Sequence, residues 1–303
     1  MRLGTRTSPL ARWQAQYVAD RLTSVGCSVD LVPVTTVGDV TSGPLREAGG
    51  QGFFTKELQR ALLEGRIDLA VHSLKDLPTE PVPGLTLAAV PERENPADVL
   101  VCAPSIGASD LQSLPRDARV ATGSTRRRAQ LLHGRPDLVM CDVRGNVETR
   151  LRKLDEGQFD AIVLALAGMT RLGLVKRATQ ILPPEVMLPA VGQGALGIEA
   201  RADDDATLAM LALLNDPNSR QCVLAERAML AELRGGCLAP VGAWGRIEAG
   251  QLRLDGVVLS VDGRQRLMAS AVGASTDAEK IGKDVARELI DQGAAQLITA
   301  ARA

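Results

Sequence analysis

Two pairs of look-alike stretches occur in the same order along this chain, and they constrain its fold more than any other feature. RLGTRTSPLARWQAQ (residues 2–16) is matched by RVATGSTRRRAQ (119–130), each reading as a strand, a Ser/Thr turn and then a helix. LLEGRIDLAVHSL (62–74) is matched by LDEGQFDAIVLAL (154–166). Each of these closes a helix at Glu-Gly, with the glycine as C-terminal cap, and enters a strand through apolar-Asp-apolar. One such pair arises by chance in any α/β protein, but two pairs in one order predict two related α/β lobes. The connections are PERENPAD (91–98) and VGQGALG (191–197), and two crossings rich in Pro and Gly predict a hinge over a cleft.

Past about residue 215 the pattern changes. AERAMLAELRGG (225–236) reads as helix, and three short strands follow, punctuated by the turn signals Ala249-Gly250 and Asp262-Gly263. One long amphipathic helix from Asp277 is expected to close the chain. Aromatic residues make up 2% of the sequence against 45% apolar residues overall, so the cores must be built from Leu, Val, Ala and Ile.

A formal charge of −1 argues against a generally basic nucleic-acid binder, so any anion site must come from a local gathering of Arg and Lys. Three strand-to-helix turns gather them. Ser8 suits the N-cap and Pro9 the first helical position, with Arg6 just outside. Thr122, Ser124 and Thr125 supply hydroxyls ahead of Arg126 and Arg127. Asn146 caps a further helix, with Arg144 before it and Arg150 one turn inside. Cations oppose the dipole at a helix N-terminus, and three such sites point to an anion that offsets the repulsion. Planar guanidinium groups match carboxylates in two-point contact. Phosphate is less favoured, since no G-x-x-x-x-G-K-[ST] loop is present.

Five scattered cysteines with no Cys-x-x-Cys, and only two histidines, make neither a disulfide framework nor a zinc set. They fit a reducing compartment. The N-terminus lacks the apolar stretch of a secretory signal, and no apolar run approaches the ~20 residues needed to span a bilayer. The expectation is a cytoplasmic, monomeric protein with no membrane or nucleic-acid partner and no metal.

Two residues stand apart. Asp76 follows the apolar strand of DLAVHSLKDLP at its carboxyl edge. It is either an ordinary turn residue or an ionised carboxylate placed to steady a cation and relay protons. Cys237, in ELRGGCLAPVG, sits behind two glycines and ahead of a proline instead of inside an apolar run. A two-lobed anion receptor would explain the lobes, hinge and arginines equally well, but not these two residues. A cysteine hydrolase would need a partner histidine, and neither His72 nor His133 has a suggestive context.

The blocks GTRTSPLA, QGFFTKEL, AVHSLKDLP, ATGSTRRR, VRGNVETRL, ALAGMTRLGL, LPAVGQGALGIE and LRGGCLAPVG, in that order, resemble the porphobilinogen deaminase (hydroxymethylbilane synthase) family. The resemblance implies an α/β fold of two similar lobes like type II periplasmic binding proteins, plus a small α+β C-terminal domain. The implied domains are 1–94 with 195–216, then 95–194, then 217–303. It implies a transferase that joins four porphobilinogen molecules head to tail with release of ammonia, using a dipyrromethane cofactor held on Cys237 by a thioether. Asp76 matches the family's catalytic carboxylate.

The carboxylates of the pyrrole acids would be met in the first lobe by Arg6, Ser8, Lys56, Ser73, Lys75 and Arg93. In the second lobe they would be met by Thr122, Ser124, Arg126, Arg127, Arg144, Gly145, Arg150 and Arg171, with Gln193 sensing or positioning the growing chain. Gln51 departs from the lysine many relatives carry, and Arg128 is expected to point outward. Residues 41–52 are expected to form a mobile lid.

Overall fold

The computed structural model describes residues 1–34, 55–236 and 239–302. Cys237, Gln51 and the expected lid at 41–52 lie outside the described residues. The chain opens with β1 (Arg2–Thr5), α1 (Pro9–Ser24), β2 (Asp30–Pro33), α2 (Lys56–Leu63), β3 (Leu69–Ser73) and β4 (Leu85–Ala89). It continues through β5 (Asp98–Cys102), β6 (Arg119–Ala121), α3 (Thr125–Gly134), β7 (Val139–Cys141), α4 (Val147–Asp155), β8 (Ala161–Ala165), α5 (Leu166–Arg171) and β9 (Gln180–Ile181). It then runs through β10 (Leu196–Arg201), α6 (Asp205–Ala212) and α7 (Pro217–Glu232). β11 (Val241–Glu248), β12 (Gln251–Leu259), β13 (Arg266–Gly273), α8 (Ala278–Asp291) and α9 (Ala294–Ala300) complete it.

These elements form two compact units, Met1–Glu94 with Ala195–Gln221 and Asn95–Gly194 with Cys222–Ala303. The unit boundary falls inside α7, and the second unit takes in both the central lobe and the C-terminal strands, each with its own sheet.

The sheet of the first unit has the order β2-β1-β3-β10-β4, and that of the central lobe has the order β7-β6-β8-β5-β9. In the first, β1 lies parallel to β2 and β3, and β10 runs antiparallel to β3. In the second, β6 lies parallel to β7 and β8, and β5 runs antiparallel to β8. The repeat in the sequence is therefore a repeat in topology, two mixed α/β lobes of the type II kind.

Side chains repeat as well. Arg2 grips Asp68 through its backbone N–H (2.7 Å), Nε (3.3 Å) and Nη2 (2.6 Å). Arg119 grips Asp160 through the same three groups at 2.7, 3.3 and 2.9 Å. These are the aspartates of the apolar-Asp-apolar entries into β3 and β8. Gly65 and Gly157 end α2 and α4 with φ of 66° and 75°, the left-handed geometry that a side chain resists.

The central strands are buried on both faces, which is why they read as unbroken apolar runs. In the first unit, Leu3, Leu69, Leu196 and Ile198 pack with Ala15, Val18 and Leu22 of α1, while Ala70 on the other face packs with Leu58 and Leu62 of α2. In the central lobe, Val99, Val101, Ile162 and Leu164 meet Leu151 and Leu154 of α4, and Leu100, Val120 and Val163 meet Leu131 of α3.

The C-terminal strands form an antiparallel meander, β11-β12-β13. The first hairpin turns on Ala249 and Gly250, both at positive φ (48° and 79°), as a tight two-residue turn requires. The sheet buries Leu252, Leu254 and Val258 against Met229 of α7 and Val285 and Leu289 of α8. The single closing helix expected from the sequence is in fact two. Gly293, at φ 106°, breaks it between α8 and α9.

Candidate functional site

In the first unit, β1 leads into α1 through a turn capped by Ser8, whose Oγ accepts the Ala11 N–H at 3.4 Å, with Pro9 in the first helical position. Arg6 stands half-buried just before the cap. β3 ends at Ser73, and the Ser73 Oγ accepts a 2.8 Å hydrogen bond from Nε2 of the buried Gln14 on α1. That bond ties α1 to the end of β3. A turn of 3-10 helix, Leu74–Asp76, follows.

Leu74 is 1% exposed and pins this turn, its N–H donating to the Ala195 carbonyl at 3.0 Å. Gly197 on β10 is what lets it sit there, because a Cβ at that position would meet Leu74 Cδ1 at 2.7 Å. With Leu74 inside, Lys75 is exposed and Asp76 half-buried at the carboxyl end of the strand. Lys56, the first residue of α2, is exposed. Arg93 is half-buried, and its backbone N–H donates to Ser219 Oγ at 2.9 Å.

Behind this strand end the sheet buries a polar pair that the sequence reading did not single out. His72 Nε2 lies 2.8 Å from Glu199 Oε2 on β10, and Gln59 Nε2 donates to both Glu199 oxygens at 3.1 and 3.2 Å. His133 is engaged elsewhere, its Nδ1 lying 2.8 Å from the Gly263 carbonyl.

In the second unit, β6 leads into α3 through Thr122 and Ser124. Thr122 Oγ1 accepts the Ser124 N–H at 3.2 Å, and Ser124 caps the helix by accepting the Arg127 N–H at 3.4 Å. The Asn146 cap forms as its sequence position predicts, accepting the Thr149 N–H at 2.8 Å. Arg144 and Gly145 beside it are exposed, and Arg150 Nε donates back to the Gly145 carbonyl at 2.8 Å. Arg171 donates from Nη2 to the Gly194 carbonyl at 2.6 Å. Arg128 pairs outward with Asp142 at 3.3 Å.

Arg126 and Arg127, which the sequence reading gave to a ligand, are also bound up with the protein itself. They are only 4% and 6% exposed; Arg127 donates to protein acceptors from all three side-chain nitrogens and Arg126 from Nη1. The acceptor at the centre is Asp98, the first residue of β5, which is wholly buried. Asp98 Oδ2 takes Arg126 Nη1 at 2.7 Å, and Oδ1 takes Arg127 Nε and Nη2 at 2.9 and 2.7 Å. Gln193, expected to attend the growing chain, is also buried and donates to Asp98 Oδ1 at 2.9 Å and to the Pro96 carbonyl at 2.7 Å. Burial pushes the Asp98 pKa up, yet the two guanidinium charges and these hydrogen bonds outweigh it and hold the carboxyl well below its usual range. Burial in turn lowers Arg126 from its ordinary value.

The segment containing Gln193 is fixed from its other side too. Glu226 of α7, fully buried, accepts the Gly192 N–H at 2.7 Å and the Gly245 N–H at 2.8 Å. Cys222, earlier on α7, is 5% exposed and packed in the C-terminal core.

One buried cation keeps an open edge. Arg126 Nε is buried with no partner among the described residues, although carboxylates usually take a guanidinium through that nitrogen and its neighbour. A donor set of arginines, hydroxyls and capped helix starts, with an orphaned buried N–H among them, suits a ligand carrying several carboxylates. Among the described residues no group of His, Cys, Asp and Glu could hold a metal ion, and no helix is long and apolar enough to cross a membrane.

The model of the porphobilinogen deaminase, dipyromethane cofactor binding domain matches residues 1–209, and that of the porphobilinogen deaminase C-terminal domain matches residues 220–291. A porphobilinogen deaminase from Pelotomaculum thermopropionicum is 48% identical over 303 residues, spanning 99% of this chain and 96% of the relative. Solved structures with some likeness include the methionine-binding protein MetQ, 13% identical with a TM-score of 0.45 over 77% of this chain and 93% of that one. Another is a nutrient-binding protein from Burkholderia cenocepacia bound to methionine, 13% identical with a TM-score of 0.43 over 77% and 95%.

Proposed function

This chain belongs to the porphobilinogen deaminase family, and from that premise we propose which of its residues carry the reaction. The enzyme joins four porphobilinogen molecules head to tail, releases ammonia at each addition, and delivers the linear tetrapyrrole hydroxymethylbilane for tetrapyrrole biosynthesis. It uses a dipyrromethane cofactor, which when bound supplies the pyrrole carbon to which new units are added. The receptor and cysteine-hydrolase alternatives fall with the family match.

In our reading Cys237 holds the cofactor through a thioether, which explains a thiol placed on glycine-rich backbone. Asp76 accepts a hydrogen bond from a substrate pyrrole N–H, steadies the cation left when ammonia departs, and takes up and returns protons there. Arg6, Ser8, Lys56, Ser73, Lys75 and Arg93 meet acetate and propionate groups from the first unit. Thr122, Ser124, Arg126, Arg144, Gly145, Arg150 and Arg171 do so from the second, and Arg127 and Gln193 serve through Asp98. The observation that supports this best is the buried Arg126, whose Nε has no hydrogen-bond partner among the described residues and is one of three such buried side-chain atoms, with His72 Nε2 and Arg266 Nε.

The three-domain division at 1–94 with 195–216, 95–194 and 217–303 is part of the same reading, as are a monomeric state and a cytoplasmic location. The four described cysteines are free thiols, which suits a reducing compartment.

The test is intact mass with peptide mapping. The purified enzyme should carry the added mass of two linked pyrrole rings on the peptide containing Cys237, and Cys237→Ser should carry none and be inactive. Asp76→Asn should retain that mass and lose roughly 10²–10³ in turnover. An active enzyme of unmodified mass, or full turnover in Asp76→Asn, defeats the assignment.

A further inference from the structure

Two adjacent arginines in one helical turn are held in very different ways. Arg127 has every side-chain nitrogen engaged: Nε and Nη2 donate to Asp98 Oδ1, and Nη1 donates to the Val163 carbonyl at 2.9 Å. Arg126 uses Nη1 alone, toward Asp98 Oδ2 and, at 2.6 Å, the Leu188 carbonyl. Among the described residues its Nε is buried without a hydrogen-bond partner, and the side chain's hydrogen bonds there both run from Nη1. Leaving a buried cationic N–H unpaired is unfavourable, and native interiors seldom do so without a use for it. The edge left open on Arg126 is the planar Nε–Nη2 fork that takes a carboxylate in two-point contact.

We propose that Asp98 is a positioning residue that makes these neighbours unequal, locking Arg127 as a strut and turning Arg126 so that its Nε–Nη2 edge is presented to a carboxylate of the pyrrole acid. This rests on the reading that the start of α3 serves the pyrrole acids. The Asp98 carboxylate cannot rotate freely to serve both arginines alike. Its Oδ1 already accepts from Arg127 and from Gln193, whose loop is pinned at Gly192 by Glu226. Only Oδ2 is left for Arg126, and it takes Nη1. The Leu188 carbonyl takes that same nitrogen, and Gln130 holds Leu188 by donating to its carbonyl at 3.0 Å and accepting its N–H at 2.8 Å. The Arg126 plane is thus set from two sides by groups that never touch the ligand edge.

The experiment follows covalent loading instead of turnover. Apoprotein from cells unable to make porphobilinogen is mixed with porphobilinogen, and the gain of the two-ring mass is timed by intact mass spectrometry. Thermal midpoints are recorded for every variant. Asp98→Asn should load at least tenfold more slowly than Leu254→Ala, a C-terminal core variant that lowers the thermal midpoint without touching the arginines.

Asp98→Glu keeps the charge but shifts the carboxylate by one methylene, so it should fold even where Asp98→Asn does not, and should load several-fold more slowly. Wild-type loading rates in Asp98→Glu, or equal rates in Asp98→Asn and Leu254→Ala, overturn the proposal. Arg126→Met isolates the underlying reading. Normal loading there removes the role of this helix start altogether, whereas loss of loading in Arg126→Met with normal loading in the Asp98 variants removes only the role of Asp98.

Discussion

Each lobe threads one antiparallel strand through its sheet, and each of those strands buries one carboxylate, but the two are satisfied in opposite ways. Glu199 on β10 is met by an imidazole and a neutral amide, His72 and Gln59. Asp98 on β5 is met by two guanidinium groups and one amide. Neither an imidazole nor an amide is a fixed cation, so the first cluster tolerates loss of charge at its centre. Guanidinium groups stay protonated at any accessible pH, so the second does not. Topology fixed where a buried acid sits; its partners decide whether the lobe depends on that acid being charged.

The contrast breaks first, if it is wrong, in stability. Asp98→Asn leaves two buried arginines without a counter-charge and should cost about 3–5 kcal/mol in denaturant unfolding. Glu199→Gln keeps a hydrogen-bonding group of the same shape and should cost only about 1 kcal/mol. Similar losses in the two would mean that the partners do not matter.

Acid sharpens the same comparison. The folded pKa of Asp98 is depressed, so its contribution is complete above the unfolded value of about 4 and is lost as pH falls toward the folded value. Stability of the second unit should therefore fall steeply with acid below about pH 4, and Asp98→Asn should flatten that slope; an unchanged slope would assign the acid sensitivity to other groups.

The smallest expected effect concerns what the lobes share. Arg2→Ala and Arg119→Ala each remove one exposed clamp on an aspartate, and such pairs contribute little. Their shifts in thermal midpoint should be small and equal within error, and a clear inequality would show that the matched clamps are not equivalent.

The lobes themselves were legible because their signals are local. A Glu-Gly cap, an Asp at the strand entry and a Ser or Asn before a helix each act within a few residues; Ser8 and Asn146 cap as their positions predict, and Ser124, read only as a hydroxyl donor, turns out to cap as well. The Asp98 network was not legible, because its partners lie 28, 29 and 95 residues away.

In PERENPAD the residue looked like the end of a linker, and its one clue was an acid directly preceding Val-Leu-Val in a strand. Arg126 and Arg127 looked available because nothing nearby in sequence could neutralise them. Glu226 lies on α7, and only its burial, with the Gly192 and Gly245 N–H groups donating to it, marks it out. The break at Gly293 was missed for the opposite reason, since an amphipathic pattern that continues on both sides of a glycine conceals the change in backbone direction.

The order of strands has a consequence for how such a chain is completed during synthesis. In the central lobe the antiparallel strand β5 is made first, and its whole sheet exists by Ile181. In the first lobe the corresponding strand, β10, is made last, yet it stands between β3 and β4. Until the ribosome has passed Arg201, β4 has no neighbour and one side of β3 has no hydrogen-bonding partner. The half of the chain that emerges first is thus the half that closes later, holding an open sheet edge through more than a hundred residues of further translation.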